Sequence, residues 1–298
     1  MPIETRQIAE GLAWPESPRW RDHVLYISDV HNFRIAKLFS DGRVETLCKV
    51  DGRPAGMDFT ADGKLLLATG IGRQLFGVDP VTGAMEIKTS LPAAEKSYLN
   101  DLVVHPNGWA WFGDTGFRFG LDTPEKSGCL WAYHPQKGLK QAATGIFFPN
   151  GLVVSADGAT LYVAETFGKR ISAFDIDADG NLTNRRIHAQ LRGEPDGLSL
   201  DAEGCLWVPF LFLGEFARIA PDGSEVEAIA FPGMNAIACI GGGQDRKTLF
   251  LCVCRADRSD PQKPILDGEI HITTPRSPGV GYPCEKICLS PKNIFFFT

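Results

Sequence analysis

The amino-acid sequence predicts an all-β protein folded as a six-bladed β-propeller. Three observations carry that expectation. Six segments repeat one pattern at intervals of roughly 40–50 residues, the period of propeller blades. Val, Ile, Phe, Tyr and Trp gather in runs of about four to eight residues, the length of strands. Almost no stretch holds a helical period over three turns.

The repeats run in order as RDHVLYISD (21–29), DGKLLLATG (62–70), NGWAWFGDTG (107–116), DGATLYVAET (157–166), EGCLWVPF (203–210) and DRKTLFLCV (245–253). Each is a polar turn, a β-rich run and a small or polar end. A second turn follows inside most repeats: SDGR (40–43), VTGA (81–84), QKGL (136–139), ADGN (178–181) and PDGS (221–224). Such turns between apolar runs mark hairpins. A twisted four-stranded sheet cannot bury both faces alone, so six are expected to stack radially and bury them on one another. Closure of the ring should pair the N-terminal run Thr5–Ile8 with the last blade. Two sandwich domains are the alternative, and the even spacing along the whole chain argues against a boundary between them. Residues 1–283 thus read as a single propeller and 284–298 as a C-terminal extension. That extension, CEKICLSPKNIFFFT, ends in the Phe295–Phe297 cluster and fits no seventh repeat. Capping the propeller, packing on a partner and a late addition are equally compatible with it.

The chain has 298 residues, 44% hydrophobic and 22% charged, with a formal net charge of −6. A soluble globular protein has this balance, and the negative sign argues against nucleic-acid or anionic-membrane partners. No apolar run approaches the ~20 residues of a membrane helix. The opening MPIETRQIAEGL lacks an apolar signal core, so a cytoplasmic location is expected. The composition suits a monomer or a dimer. Eight cysteines lie scattered without a CxxC pair, which fits small buried thiols; spacing leaves their disulfide status open. Cys252 and Cys254 alternate within LFLCVC and should share one strand face. No GxSxG or HExxH motif occurs, and Gly241–Gly243 reads as the glycine-rich entry to the sixth blade.

In a propeller the innermost strands line a central channel, and the loops entering them form one mouth. Polar residues just ahead of the repeat signatures should therefore converge. These are Glu16 in WPESPRW, Asn100 in YLNDLVV, Asn150 in FPNGLVV and Asp196 in EPDGLSL. Asn and Asp in PNG and PDG turns ordinarily satisfy local backbone groups. Their occurrence at one phase of different repeats points instead to a shared site. Two carboxylates and two amides are a hard-oxygen set that suits Ca²⁺ or Mg²⁺ and also holds Zn²⁺ or Mn²⁺.

The motifs WPESPRW…LYISD, the Asn100–Asp101 pair, PNGLVVSADGATLYVAET and PDGLSLDAEGCLWV together resemble the regucalcin/gluconolactonase family, which includes senescence marker protein and luciferin-regenerating enzyme. The resemblance covers nearly the whole chain to about Pro283. It implies a six-bladed propeller with one catalytic divalent metal, calcium first, held by Glu16, Asn150 and Asp196. It places Asn100 near the metal or substrate and makes Asp196 the candidate general base. Sugar-lactone members commonly carry an arginine two residues before the asparagine of this pair; here the position is Tyr98. Aromatic residues near the mouth, including Phe117, Phe148, Phe167 and Phe212, add to that departure and favour a less hydroxylated substrate. Asp101 should point away from Asn100 along an extended strand and support the site from behind.

The expected activity is metal-dependent hydrolysis of a lactone ring, on a sugar lactone or a more apolar lactone or ester. Phosphotriester or epoxide hydrolysis on the same metal is the nearest alternative. A non-catalytic, calcium-binding propeller is the alternative of another class.

Overall fold

The computed structural model describes residues 3–94, 97–120, 126–255 and 265–280. The C-terminal extension 284–298, with Cys284 and Cys288, lies outside the described residues. Six four-stranded antiparallel sheets are arranged as the blades of a ring. Five blades use consecutive strands, such as Pro149–Val154, Thr160–Glu165, Arg170–Ile176 and Leu182–Gln190 in the fourth. The sixth is shared between the two ends of the described chain: Met234–Gly242, Thr248–Arg255 and Gly268–Thr273 are completed by the N-terminal strand Arg6–Leu12. Arg6 pairs with Ile272 and Leu12 with Gly268. The six sequence signatures become the second strand of each blade. The five further turns become the hairpins between third and fourth strands.

Six hydrophobic clusters hold the ring together, one at each blade interface. The LLLAT run Leu65–Thr69 shows how. Leu65 and Leu67 pack with Tyr26 and Ile35 of the first blade, while Leu66 and Ala68 pack with Leu99 and Phe112 of the third. Both faces of the strand are covered, so its sequence is uniformly apolar rather than alternating. Cys252 and Cys254 share the face toward the first blade. Cys48, Cys129, Cys205, Cys239, Cys252 and Cys254 are all free thiols.

Two sequence expectations change. Gly241 and Gly242 end the innermost strand of the sixth blade and do not enter it. A Cβ on Gly241 would stand 2.5 Å from Gly279 Cα, and one on Gly242 2.6 Å from the Trp20 ring. Glycine is there because neighbouring backbone and aromatic ring press on that strand. The PNG tripeptide at 149–151 likewise opens an innermost strand instead of a turn, and PDG at 195–197 stands just ahead of one, bridged at Pro195 to Phe210. A Cβ on Gly151 would lie 2.4 Å from Leu198 N, and one on Gly56 2.1 Å from Leu102 N. Near the axis the strands approach too closely for any side chain.

Away from the mouth, a buried arginine, Arg19, bridges the innermost strands. Its guanidinium pairs with Asp58 at 3.2 Å and donates to the Leu102 carbonyl at 2.8 Å. Asp58 also accepts from Val104 N–H at 2.9 Å, so one ion pair ties three blades.

Candidate active site

The opposite end of the channel opens into a cavity of about 110 Å³, lined by Glu16, Asn100, Asn150 and Asp196 among others. Their convergence follows from register. Pro15, Leu99, Pro149 and Pro195 each pair with the last residue of the next strand, at Asp29, Asp114, Glu165 and Phe210. The residue after each is one of the four. A register shift follows in the innermost strands at Glu16/Arg19, Leu99/Leu102 and Pro149/Leu152. Bulges of this kind re-aim a side chain out of the regular pleat, here toward the axis.

The donors are oriented by named partners. Trp14 Nε1 donates to Glu16 Oε1 at 2.8 Å. Asn150 Nδ2 donates to Thr166 Oγ1 at 3.1 Å, and that hydroxyl donates to the Pro195 carbonyl at 2.9 Å. Asn100 Nδ2 donates to the Pro149 carbonyl at 3.3 Å. Asn150 Oδ1 and Asp196 Oδ1, both buried, have no hydrogen-bond partner. Two orphaned acceptors in one cavity leave a desolvation cost that a bound group would remove.

Electrostatics point the same way. Burial, then the charge of Asp101, pushes the Glu16 carboxyl up to about 8, with the Trp14 hydrogen bond and then Arg53 offsetting this in part. Burial, then Glu16 and Asp101, holds Asp196 well above the usual carboxylate range. Asp101, raised by burial, is kept in place by Ser17 and the Leu102 N–H. It stands behind the cavity lining, beside both donors in charge but not in the opening. Among the described residues no group of three or more His, Cys, Asp or Glu forms a cation site. The candidate donors are therefore the mixed set of two carboxylates and two amides. Orphaned oxygens and mutually repelling carboxylates fit a hard divalent cation held by Glu16, Asn150 and Asp196.

The remaining expected residues fall at three depths. Tyr98, Phe148 and Phe167 line the cavity. Phe117 is buried behind them, its ring 5.1 Å from Phe148 and 5.5 Å from Phe167. Phe212 lies outside the lining on the rim, 44% exposed, 5.8 Å from Phe119. Phe119 itself lines the cavity and continues the aromatic wall to Phe167 at 5.4 Å.

Trp14, His31, Arg53 and Thr166 also line the cavity and were not singled out by sequence. Trp14, Arg53 and Phe148 share one signal in retrospect. Each precedes a proline that starts an innermost strand, and each has left-handed backbone, with φ of 66°, 69° and 62°. Non-glycine residues rarely adopt it, and such outliers gather at functional sites.

The family described as SMP-30/Gluconolactonase/LRE-like region matches residues 14–255. A 6-deoxy-6-sulfogluconolactonase from Pseudomonas putida is 27% identical over 277 residues, 90% of this chain and 93% of that protein. Human regucalcin is 30% identical over 185 residues, 59% of this chain and 62% of that protein. Among solved structures, a gluconolactonase from Xanthomonas campestris superposes with a TM-score of 0.75 at 26% identity, covering 92% of this chain and 90% of that one. A calcium-binding regucalcin from Agrobacterium tumefaciens gives a TM-score of 0.79 at 21% identity over 94% and 96% of the two chains, a likeness of fold. With the family match spanning five of the six blades and reaching into the sixth, this chain belongs to the SMP-30/gluconolactonase/LRE-like family.

Proposed function

We propose that the protein hydrolyses a lactone or related cyclic ester with an apolar ring, using one divalent cation, calcium in the first instance. The observation that carries this reading is the pair of buried, partnerless acceptors, Asn150 Oδ1 and Asp196 Oδ1, beside Glu16 in the cavity. The sugar-lactone activities named for the Pseudomonas and Xanthomonas relatives support the reaction class.

Glu16, Asn150 and Asp196 would hold the cation, which supplies a Lewis acid for the carbonyl oxygen when bound. Trp14 fixes the rotamer of Glu16, and Thr166 sets which end of the Asn150 amide faces the cavity. Asp196 is the proton acceptor for the attacking water, and it returns the proton to the ring oxygen as the C–O bond breaks. Asn100 orients the carbonyl. Phe148, Phe167 and Phe119 hold the ring and exclude bulk water from the reacting carbon.

The experiment is chelator stripping followed by acid release from gluconolactone, a γ-alkyl lactone and dihydrocoumarin as each divalent cation is restored. Cation-dependent turnover, fastest on an apolar ring and lost in Asp196→Ala, is expected. Tight cation binding with no turnover on any substrate would refute hydrolysis and leave a calcium-binding propeller.

A further inference from the structure

We infer that the cyclic substrate carries an unbranched aliphatic chain, and that Phe119 and Phe212 form the track on which this chain leaves the cavity. The inference rests on the lactone reading of the site and names the class of lactone. Its starting point is a row of rings that begins inside the cavity and ends in solvent. Phe148 meets Phe167 with ring centres 5.1 Å apart, Phe167 meets Phe119 at 5.4 Å, and Phe119 meets Phe212 at 5.8 Å. The row starts beside the candidate ligands: Phe148 lies two residues before Asn150, and Phe167 follows Thr166, the hydrogen-bond partner of Asn150. It crosses the lip at Phe119, which lines the cavity and is 39% exposed. It finishes at Phe212, outside the lining and exposed.

Packing of the blades does not account for the outer half of the row. Neither Phe119 nor Phe212 belongs to any of the six core clusters. They follow the second strands of blades three and five, and their rings meet although blade four lies between. Other exposed aliphatic residues, Ile87, Ile187 and Val226, stand singly on the fourth strands. Scattered apolar residues of that kind are ordinary surface. A contiguous apolar strip that runs into a cavity marks a ligand groove. The size of the cavity sets what the strip is for. At about 110 Å³ it falls well below the roughly 300–1,000 Å³ of pockets that enclose a whole small molecule. A small ring beside the cation fills it, and any longer part of the substrate lies across the mouth. All four members of the row are phenylalanine, a surface that favours methylene contact and offers no polar group to a hydroxylated tail.

The test is a homologous series on the calcium-loaded protein, each compound kept below the concentration at which it aggregates. A chain on the carbon that bears the ring oxygen sits away from the carbonyl, so its length leaves intrinsic reactivity unchanged. Full burial of a methylene strengthens an interaction about fourfold, and a track open on one side about twofold. From γ-hexalactone to γ-decalactone, four methylenes longer, kcat/KM should therefore rise roughly sixteenfold. Calorimetry with 3-ethylcyclopentanone and 3-hexylcyclopentanone, ring ketones that cannot hydrolyse, should show the same preference. It should fall below about fourfold in Phe119→Ser and in Phe212→Ser. It should persist in Ile71→Ser, an exposed apolar residue on the mouth-side loop of blade two. Thermal unfolding verifies each variant; should Phe119→Ser fail to fold, Phe212→Ser decides. No chain-length gain in ketone binding, or a gain intact in folded Phe212→Ser, overturns the proposal. An equal fall in Ile71→Ser also overturns it and assigns the effect to the whole apolar rim, as docking on a lipid surface would use it. Turnover of γ-hexalactone without a chain-length gain would sink this inference alone. A ketone preference without turnover on any lactone would sink the hydrolase reading alone.

Discussion

Two sets of buried acids surround the mouth, and they are treated in opposite ways. The outer set, Asp29, Asp114 and Glu165, ends the second strands, and every member is matched by arginine. Asp29 pairs with Arg34 at 2.6 Å, Asp114 with Arg73 at 2.8 Å, and Glu165 with Arg170 and Arg185 at 2.8 and 2.7 Å. The inner set, Glu16, Asp101 and Asp196, faces or backs the cavity with repulsion among its own members. The chemical types are identical; the neighbours differ. Glu165, despite its burial, is held down at about 2 by Arg170, Phe147 N–H, Ser172 and Arg185, while Glu16 rises to about 8. The outer acids are finished structure. The inner acids repel one another, and Asp196 Oδ1 has no hydrogen-bond partner.

The outer set also places the inner one. Asp29 accepts from Ala13 N–H at 2.7 Å, Glu165 from Phe147 N–H at 2.9 Å, and Asp114 from the Ser97 hydroxyl. Each of these donors stands two residues before the start of an innermost strand. The staple therefore fixes the loop that carries Trp14, Phe148 or Tyr98 into the cavity.

The largest expected effect breaks the inner set. Asp196→Asn keeps the volume and removes the charge. It should lower kcat by about a thousandfold, within the range for losing a general base. It should leave the melting temperature of the cation-free protein unchanged or raised, because it relieves a buried repulsion. A comparable loss of stability would show that Asp196 is structural. The outer counterpart is Glu165→Gln, expected to cost about 3 kcal/mol of stability, since it strips charge from a site that satisfies two arginines. Its folded pKa is depressed from 4.5 to about 2. The stability it adds is present above pH ~4.5 and disappears as pH falls toward 2. Denaturant melts of both proteins across that window should converge at its acid end; a gap independent of pH would refute the assignment.

Cation binding sharpens the contrast further. Calcium at about 100 times its Kd should stabilise the native protein by roughly 2.7 kcal/mol. The increment should vanish in Glu16→Gln and persist in Glu165→Gln, provided the latter is scored against its own cation-free melt. An equal increment in both variants would place the cation elsewhere.

The fold and the inner donors were legible in sequence because they repeat. Glu16, Asn100, Asn150 and Asp196 stand at one phase of different blades, and phase is what a one-dimensional reading detects. Arg53 escaped because blade two reads RPAGMDF, where Ala55 occupies that phase and the cation lies two residues earlier. Nothing in an Arg-Pro pair signals left-handed backbone. Phe117 and Phe212 were hard to place because strand alternation stops at the loops that carry them, so parity no longer tells inside from rim. The glycines of PNG and PDG looked like turn residues, since close approach between strands far apart in sequence leaves the same residue as a tight bend.

The smallest expected effect lies where the two sets touch. Thr166 follows Glu165 and belongs to the outer frame, yet its hydroxyl accepts from Asn150 Nδ2 and donates to the Pro195 carbonyl, one residue before Asp196. It thereby decides that Asn150 presents oxygen and not nitrogen to the cavity. Thr166→Val preserves shape and removes both bonds. The amide is then free to flip, and half its orientations offer a donor where a cation needs an acceptor. Calcium affinity should fall about tenfold, the lower end for a residue that orients a metal ligand, and turnover at saturating calcium should recover. Serine at the same position should restore affinity, because it returns the hydroxyl without the methyl group. Loss of turnover that excess calcium does not rescue would mean that Thr166 touches substrate, and that the outer frame reaches further into the chemistry than its ion pairs suggest.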